Sequence, residues 1–132
     1  MSLEHINPPS LAQPRGFSHA VAGHGRMVFL AGQTAMDREG NIVGDTVVDQ
    51  FELALANLLS ALAACGGAPE DLASLTVYIV DMADYRRHAH EIGGVWKRLV
   101  GRTYPAMAGI GVARLWDEEA QVEVQGFAVL PG

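Results

Sequence analysis

Basic residues are scarce in this sequence: nine Lys and Arg stand against fifteen Asp and Glu, a formal net charge of −6. Nucleic acid and anionic membranes are held by clustered Lys and Arg, and no basic run occurs, so neither is expected as a partner. Cysteine is nearly missing as well. Cys65 alone excludes an internal disulfide, and without a CxxC or HExxH pattern no zinc site is readable. His88 and His90 are two apart, a spacing that splays side chains on a helix, so no metal and no other cofactor is expected. Apolar runs fall short of the roughly 20 residues a bilayer-spanning helix needs. Glu4 and His5 stand where a signal peptide would carry its apolar region, so a cytoplasmic protein is expected.

What the chain does have is apolar bulk: 49% of its 132 residues are hydrophobic, enough for one domain, 1–132, with a real core. "NPPSLAQPRG" (7–16), with three prolines and a glycine, reads as an extended surface arm. Phe17–Ala22 and Met27–Gln33, joined by "GHGR", read as a β-hairpin. Thr46 or Asp45 caps a long helix from about 46 to 65 that Gly66–Gly67 ends, with Val48, Phe51, Leu55, Leu58, Leu59 and Leu62 as its inward stripe. "LTVYIVD" is a β-branched run that suits a central strand. Asp84 is expected to cap a second helix running to about Val100, weakened by Gly93–Gly94. Two further strands, Ala106–Leu115 and Val122–Leu130, complete an α+β sandwich: a mixed sheet of about six strands packed on one face by two helices.

The last strand makes opposite demands on its two faces. By the period of two, Val122, Val124, Ala128 and Leu130 share one side, while Gln121, Glu123, Gln125, Phe127 and Val129 share the other. That second side is polar first and apolar later, which predicts a cleft beside a covered surface. Two helices can cover only one face, yet "MVFLAG" and "LTVYIV" are apolar on both. A symmetric homo-oligomer supplies the missing cover.

"AGQ" at 31–33, "TVYIVDMADY" at 76–85, "YPAMAGIGVARL" at 104–115 and "VEVQGFAVL" at 122–130 together resemble the reactive intermediate deaminase family, called RidA or YjgF and also endoribonuclease L-PSP. The resemblance implies a chorismate-mutase-like fold, a homotrimer with small-molecule clefts between subunits, and hydrolysis of 2-imino acids or enamines. An arginine would hold the substrate carboxylate and a glutamate would assist water. In place of the family's Pro-Ala-Arg-Ser block this chain has Pro105, Ala106, Met107 and Ala108, so the substrate-holding arginine is missing. Gly109 stands where a cysteine often follows, and Ser18 falls near a family tyrosine.

These matches give Glu123 to activate water and Gln33, Ser18, Met107 and Gly109 to bind the ligand; His19 is added as a second acid or base because a strand next to the expected cleft would bring its imidazole near Glu123. Each has a plainer alternative. Glu123 also reads as a strand carboxylate paired with Arg114 or solvent, Gln33 as an amide satisfying backbone groups, and Met107 as packing. Cys65 lies at a helix end, where the dipole does not activate a thiol, and reads as inert. An enzyme hydrolysing an imine and a non-catalytic metabolite-binding protein both remain open; RNA cleavage is disfavoured by the acidity.

Overall fold

The computed structural model describes residues 3–132. Two short strands, β1 (Glu4–Ile6) and β2 (Ala20–Ala22), pair antiparallel as a small separate sheet. The main sheet holds β3 (Arg26–Gln33), β4 (Leu72–Ile79), β5 (Ala106–Gly111) and β6 (Val122–Leu130) in the order β3-β6-β4-β5. β6 runs antiparallel to both neighbours, and β5 runs parallel to β4. Helices α1 (Val47–Ala64), α2 (Met82–Arg87) and α3 (Ala89–Leu99) supply the second layer. The expected six strands are present, divided between two sheets.

Helix α1 forms for the reasons its sequence gives. Thr46 adopts the extended cap conformation and its hydroxyl accepts from Asp49 N at 3.1 Å. At the other end Gly66 takes a positive φ of 88° and Gly67 N donates to the Leu62 carbonyl at 3.0 Å, a turn that glycine makes without strain. Phe51, Leu55, Leu58 and Leu62 then point into the core against Val122, Val124, Ala128 and Leu130. α1 is long and apolar enough to cross a membrane, but its apolar stripe is spent on this sheet.

Buried amides tie the helix to the strands. Gln50, only 2% exposed, donates to the Gly44 and Glu119 carbonyls at 3.2 and 3.1 Å and accepts from Gln121 N at 2.8 Å. The start of β6 is thereby pinned to the first turn of α1. Asn57 does the same for the chain leaving β3, donating to the Thr34 and Met36 carbonyls at 3.0 Å each.

Three expectations need correction. Phe17–Ala22 and Met27–Gln33 do not form a hairpin: β2 turns to β1, and β3 pairs only with β6. The reason lies in "GHGR", where Gly25, at a φ of 149°, lies so close to the Leu130 carbonyl that a Cβ would come within 2.0 Å of it. The segment therefore passes from one sheet to the other instead of turning back. The single helix expected from Asp84 to Val100 is two, with Asp81 as the cap of α2, its carboxylate accepting from Asp84 N at 3.0 Å. At His88 the backbone leaves helical geometry, and its ring Nδ1 donates to the Asp84 carbonyl at 2.9 Å. The strand expected over 106–115 stops at Gly111, where Val112 N still donates to the Ile79 carbonyl before the chain departs.

All three helices lie on one side of the sheet. The far side leaves Met27, Phe29, Phe127 and Ile110 exposed, Phe29 at 72%, with Phe29 and Phe127 meeting edge to face at 5.4 Å. On the covered side, Gly126 lies where a Cβ would sit 2.4 Å from the Ser74 carbonyl oxygen, at the bulge in β4 between Leu72 and Ser74. Gly126→Ala is expected to force the two strands apart and lower stability by about 1–3 kcal/mol, read from the midpoint of urea unfolding.

Candidate functional site

Glu123 stands on the open side of β6, half-buried, opposite Tyr78 of β4. Its other neighbour is Gly32 of β3, so close that a Cβ there would lie 1.9 Å from Glu123 Oε2. The missing side chain at Gly32 lets the carboxylate lie down on the β3 backbone. One register step along, Gln125 accepts from the Tyr78 hydroxyl at 3.2 Å, so the polar part of this face is a short row: Glu123, Tyr78, Gln125. Arg114 is not Glu123's ion-pair partner; its guanidinium donates to the Leu115 and Trp116 carbonyls at 3.2 and 3.4 Å.

Gln33 lies on the other side. β3 carries a bulge between Leu30 and Gln33, so Ala31 and Gly32 together oppose Gln125, and Gln33 pairs with the inward-facing Val124. Its side chain lines a depression against α1 with Leu53, Asn57 and Ala61, away from Glu123. An unbroken period of two would not reveal this, because the extra residue resets which side follows.

Met107 also faces the helical side, since it pairs with the buried Leu75. It lines an apolar crevice of about 210 Å³ with Gly109, Val77, Ile79, Phe17 and Tyr85. No charged side chain lines it. At Gly109 a Cβ would meet Ile79 Cδ1 at 3.7 Å, so its glycine keeps the crevice open but is not forced by a clash. Glu123, Gln33 and Met107 are thus in three separate surroundings within one chain.

Ser18 is 6% exposed and works for the fold: its N–H donates to the Pro105 carbonyl at 2.9 Å and its hydroxyl to the Tyr104 carbonyl at 2.6 Å. That bridge to the start of β5 turns the preceding residue, Phe17, toward Met107. Phe17 and Tyr85 are the crevice residues that sequence reasoning missed. The signal for Phe17 was its place beside Ser18, and a shift of one residue finds it. His19 is held in the arm, its N–H donating to Asn7 Oδ1 and its ring Nε2 to the Ala12 carbonyl, both at 2.7 Å. The ring fastens the proline-rich arm. Among the described residues no group of three or more His, Cys, Asp or Glu could hold a metal.

Comparison with known proteins identifies the family. The family model described as endoribonuclease L-PSP matches residues 9–130, nearly the whole chain. The chain belongs to this family, the RidA/YjgF proteins. Its sequence is 30% identical over 113 residues to a RutC family protein of Pyrococcus horikoshii, covering 85% of each chain. It is 30% identical over 105 residues to a protein of Capra hircus named 2-iminobutanoate/2-iminopropanoate deaminase, covering 79% of this chain and 73% of that one. A crystal structure of a Rid family protein of unknown function from Yersinia pestis superposes with a TM-score of 0.89 at 32% identity, over 98% of this chain and 100% of that one.

In this RidA-family chain the crevice has one titratable side chain. Burial pushes the Tyr85 phenol from the ordinary 10.0 up to about 12, because the charged phenolate would lose its water there. The unfolded chain then gives up this proton first, so stability is expected to fall as pH rises from about 10 to about 12, with no contribution below that window. Of the three tyrosines, one should ionise late when phenolate absorbance is followed against pH. Tyr85→Phe should remove both the late phase and the alkaline loss.

Proposed function

We propose that this chain hydrolyses a small imine or enamine that lacks a carboxylate, in a cleft completed by a second copy of itself. The observation that carries this is the Met107 crevice: in a family that includes a named 2-imino acid deaminase, its lining holds no charged side chain. A thioether cannot make the bidentate contact of a guanidinium with a carboxylate, so a neutral carbon skeleton is the better fit.

The chemistry requires little machinery. An enamine first tautomerises to its imine. Water then adds to the carbon of the C=N bond while a carboxylate takes its proton and passes it to the nitrogen. The carbinolamine hydroxyl gives up a second proton to the nitrogen as the C–N bond breaks, leaving a carbonyl compound and ammonia. Glu123 is the carboxylate we assign. It stands on the opposite sheet face from Met107, so the two can meet only across copies. The open face supports such an assembly, with the apolar Met27, Phe29 and Phe127 at one end to bury and Glu123 at the other to border a cleft. We assign a homotrimer and a cytoplasmic setting. Gln33, on the α1 side, and His19, in the arm, have no part in this scheme, and Ser18 only positions Phe17.

The apolar lining also favours a second class, a metabolite-binding protein without turnover. Glu123→Gln separates the two: an enzyme loses ammonia release and keeps ligand affinity, whereas a binding protein has no ammonia release to lose. RNA cleavage fits poorly with nine basic against fifteen acidic residues.

Light scattering should give a mass three times the 14.1 kDa of one chain. Phe29→Asp, at an exposed site where the fold has little to lose, should return it to the mass of one chain. A single-chain mass for the unaltered protein at micromolar concentration would defeat the assembly and, with it, the composite cleft.

The substrate class has its own assay, the release of ammonia from 2-aminoacrylate generated in situ by a dehydratase. Without a guanidinium at position 107 the rate is expected to lie about 10- to 150-fold below that of an arginine-bearing relative, and Met107→Arg should narrow the gap. Parity between the unaltered chain and that relative would show that residue 107 does not set the substrate.

A further inference from the structure

We propose that the Tyr85 hydroxyl selects the ligand of the Met107 crevice, favouring a small uncharged molecule with one hydrogen-bond acceptor, a carbonyl oxygen or imine nitrogen, on an apolar skeleton. This rests on the crevice being the ligand site proposed above.

Among the described residues Tyr85 brings the only polar side chain to the crevice lining; Phe17, Val77, Ile79 and Met107 are its other large walls. A charged ligand group would lose water there without gaining a counter-ion, which disfavours carboxylate and ammonium alike. An acceptor that found no donor would also be penalised, so a single donor discriminates between molecules of equal shape. The Tyr85 hydroxyl is free for that task. It has no hydrogen-bond partner among the described residues, yet no buried side-chain oxygen or nitrogen there is left unpartnered, so this oxygen is one that solvent reaches.

Its position is fixed in advance. The ring packs edge to face on Phe51 of α1 at 6.2 Å and 74°, and the helix that carries it is held at its start by the Asp81 cap. A ligand therefore spends little ordering entropy on its partner. A phenol is already neutral in the physiological range at its ordinary 10.0, and burial only moves it further from ionisation, so the group is a neutral donor there. For an imine, a donor at nitrogen also draws electrons from the carbon that water attacks, which joins selection to the proposed reaction.

The test uses two probes of the same outline, cyclopentanone and methylenecyclopentane, titrated into the full chain and into Tyr85→Phe. Binding is followed by the amide resonances of Ala108 and Gly109. The variant keeps the ring and its contact with Phe51, and its melting temperature checks the fold. The expected result is a ketone affinity about 3- to 10-fold weaker in Tyr85→Phe, with the hydrocarbon unchanged. Equal ketone affinity in both proteins, or equal weakening of both probes, would overturn the selection by Tyr85 and leave the crevice standing as a site. If neither probe moves Ala108 or Gly109 in the unaltered protein, the crevice is not the ligand site and the inference falls with it.

Discussion

Val122, Val124, Ala128 and Leu130 point under α1, so Glu123, Gln125, Phe127 and Val129 must point away from it, and every helix of the described chain is on the α1 side. That division follows from pleating alone and admits no compromise, because a slip of one residue would exchange the two sets. The covered side is a conventional core. The other must serve two needs at once, apolar closure around Phe29 and Phe127 and polar exposure around Glu123, and it does so by separating them along the strand. Gln50 secures the arrangement by holding the first residues of β6 against the helix, which fixes where the polar end begins.

How far the sequence discloses this differs from element to element. α1 was legible to within a residue because its cap, stripe and terminal glycines are all local and agree. The alternation of β6 was legible for the same reason, and so was the bare apolar face, since two helices have only so much surface to offer. Contacts made at long range were not. The bulge at Ala31–Gly32 depends on what stands across the sheet, and it moves Gln33 to the helical side without any mark in β3 itself beyond a glycine. His88 breaks the expected second helix through a ring contact with its own preceding turn. Ser18 took the place of Phe17 in the site because its partner is Pro105, far along the chain, and only that pairing fixes which residue of the arm faces β5.

Family membership and local geometry bear on different questions here. Membership carries the fold; it does not carry activity or substrate identity, which on the reading proposed above resides in a few crevice side chains. In that proposal Met107 and Tyr85 act together, one by withholding charge and the other by offering a neutral donor. A single substitution would leave a pocket without any means of orienting what enters it.

β5 lies at the margin of the main sheet, tied on its outer side only at Ala106, where it meets Ser18. Beyond that point its backbone is a row of unpaired donors and acceptors, the kind of border on which aggregation begins when chains are crowded during synthesis. The residues there are Met107, Ala108, Gly109, Ile110 and Gly111, and three of the five offer almost no side chain for an intruding strand to pack against. The smallness that keeps the Met107 crevice open therefore also makes this margin a poor template for growth, so enlarging those residues would trade against the chain's solubility.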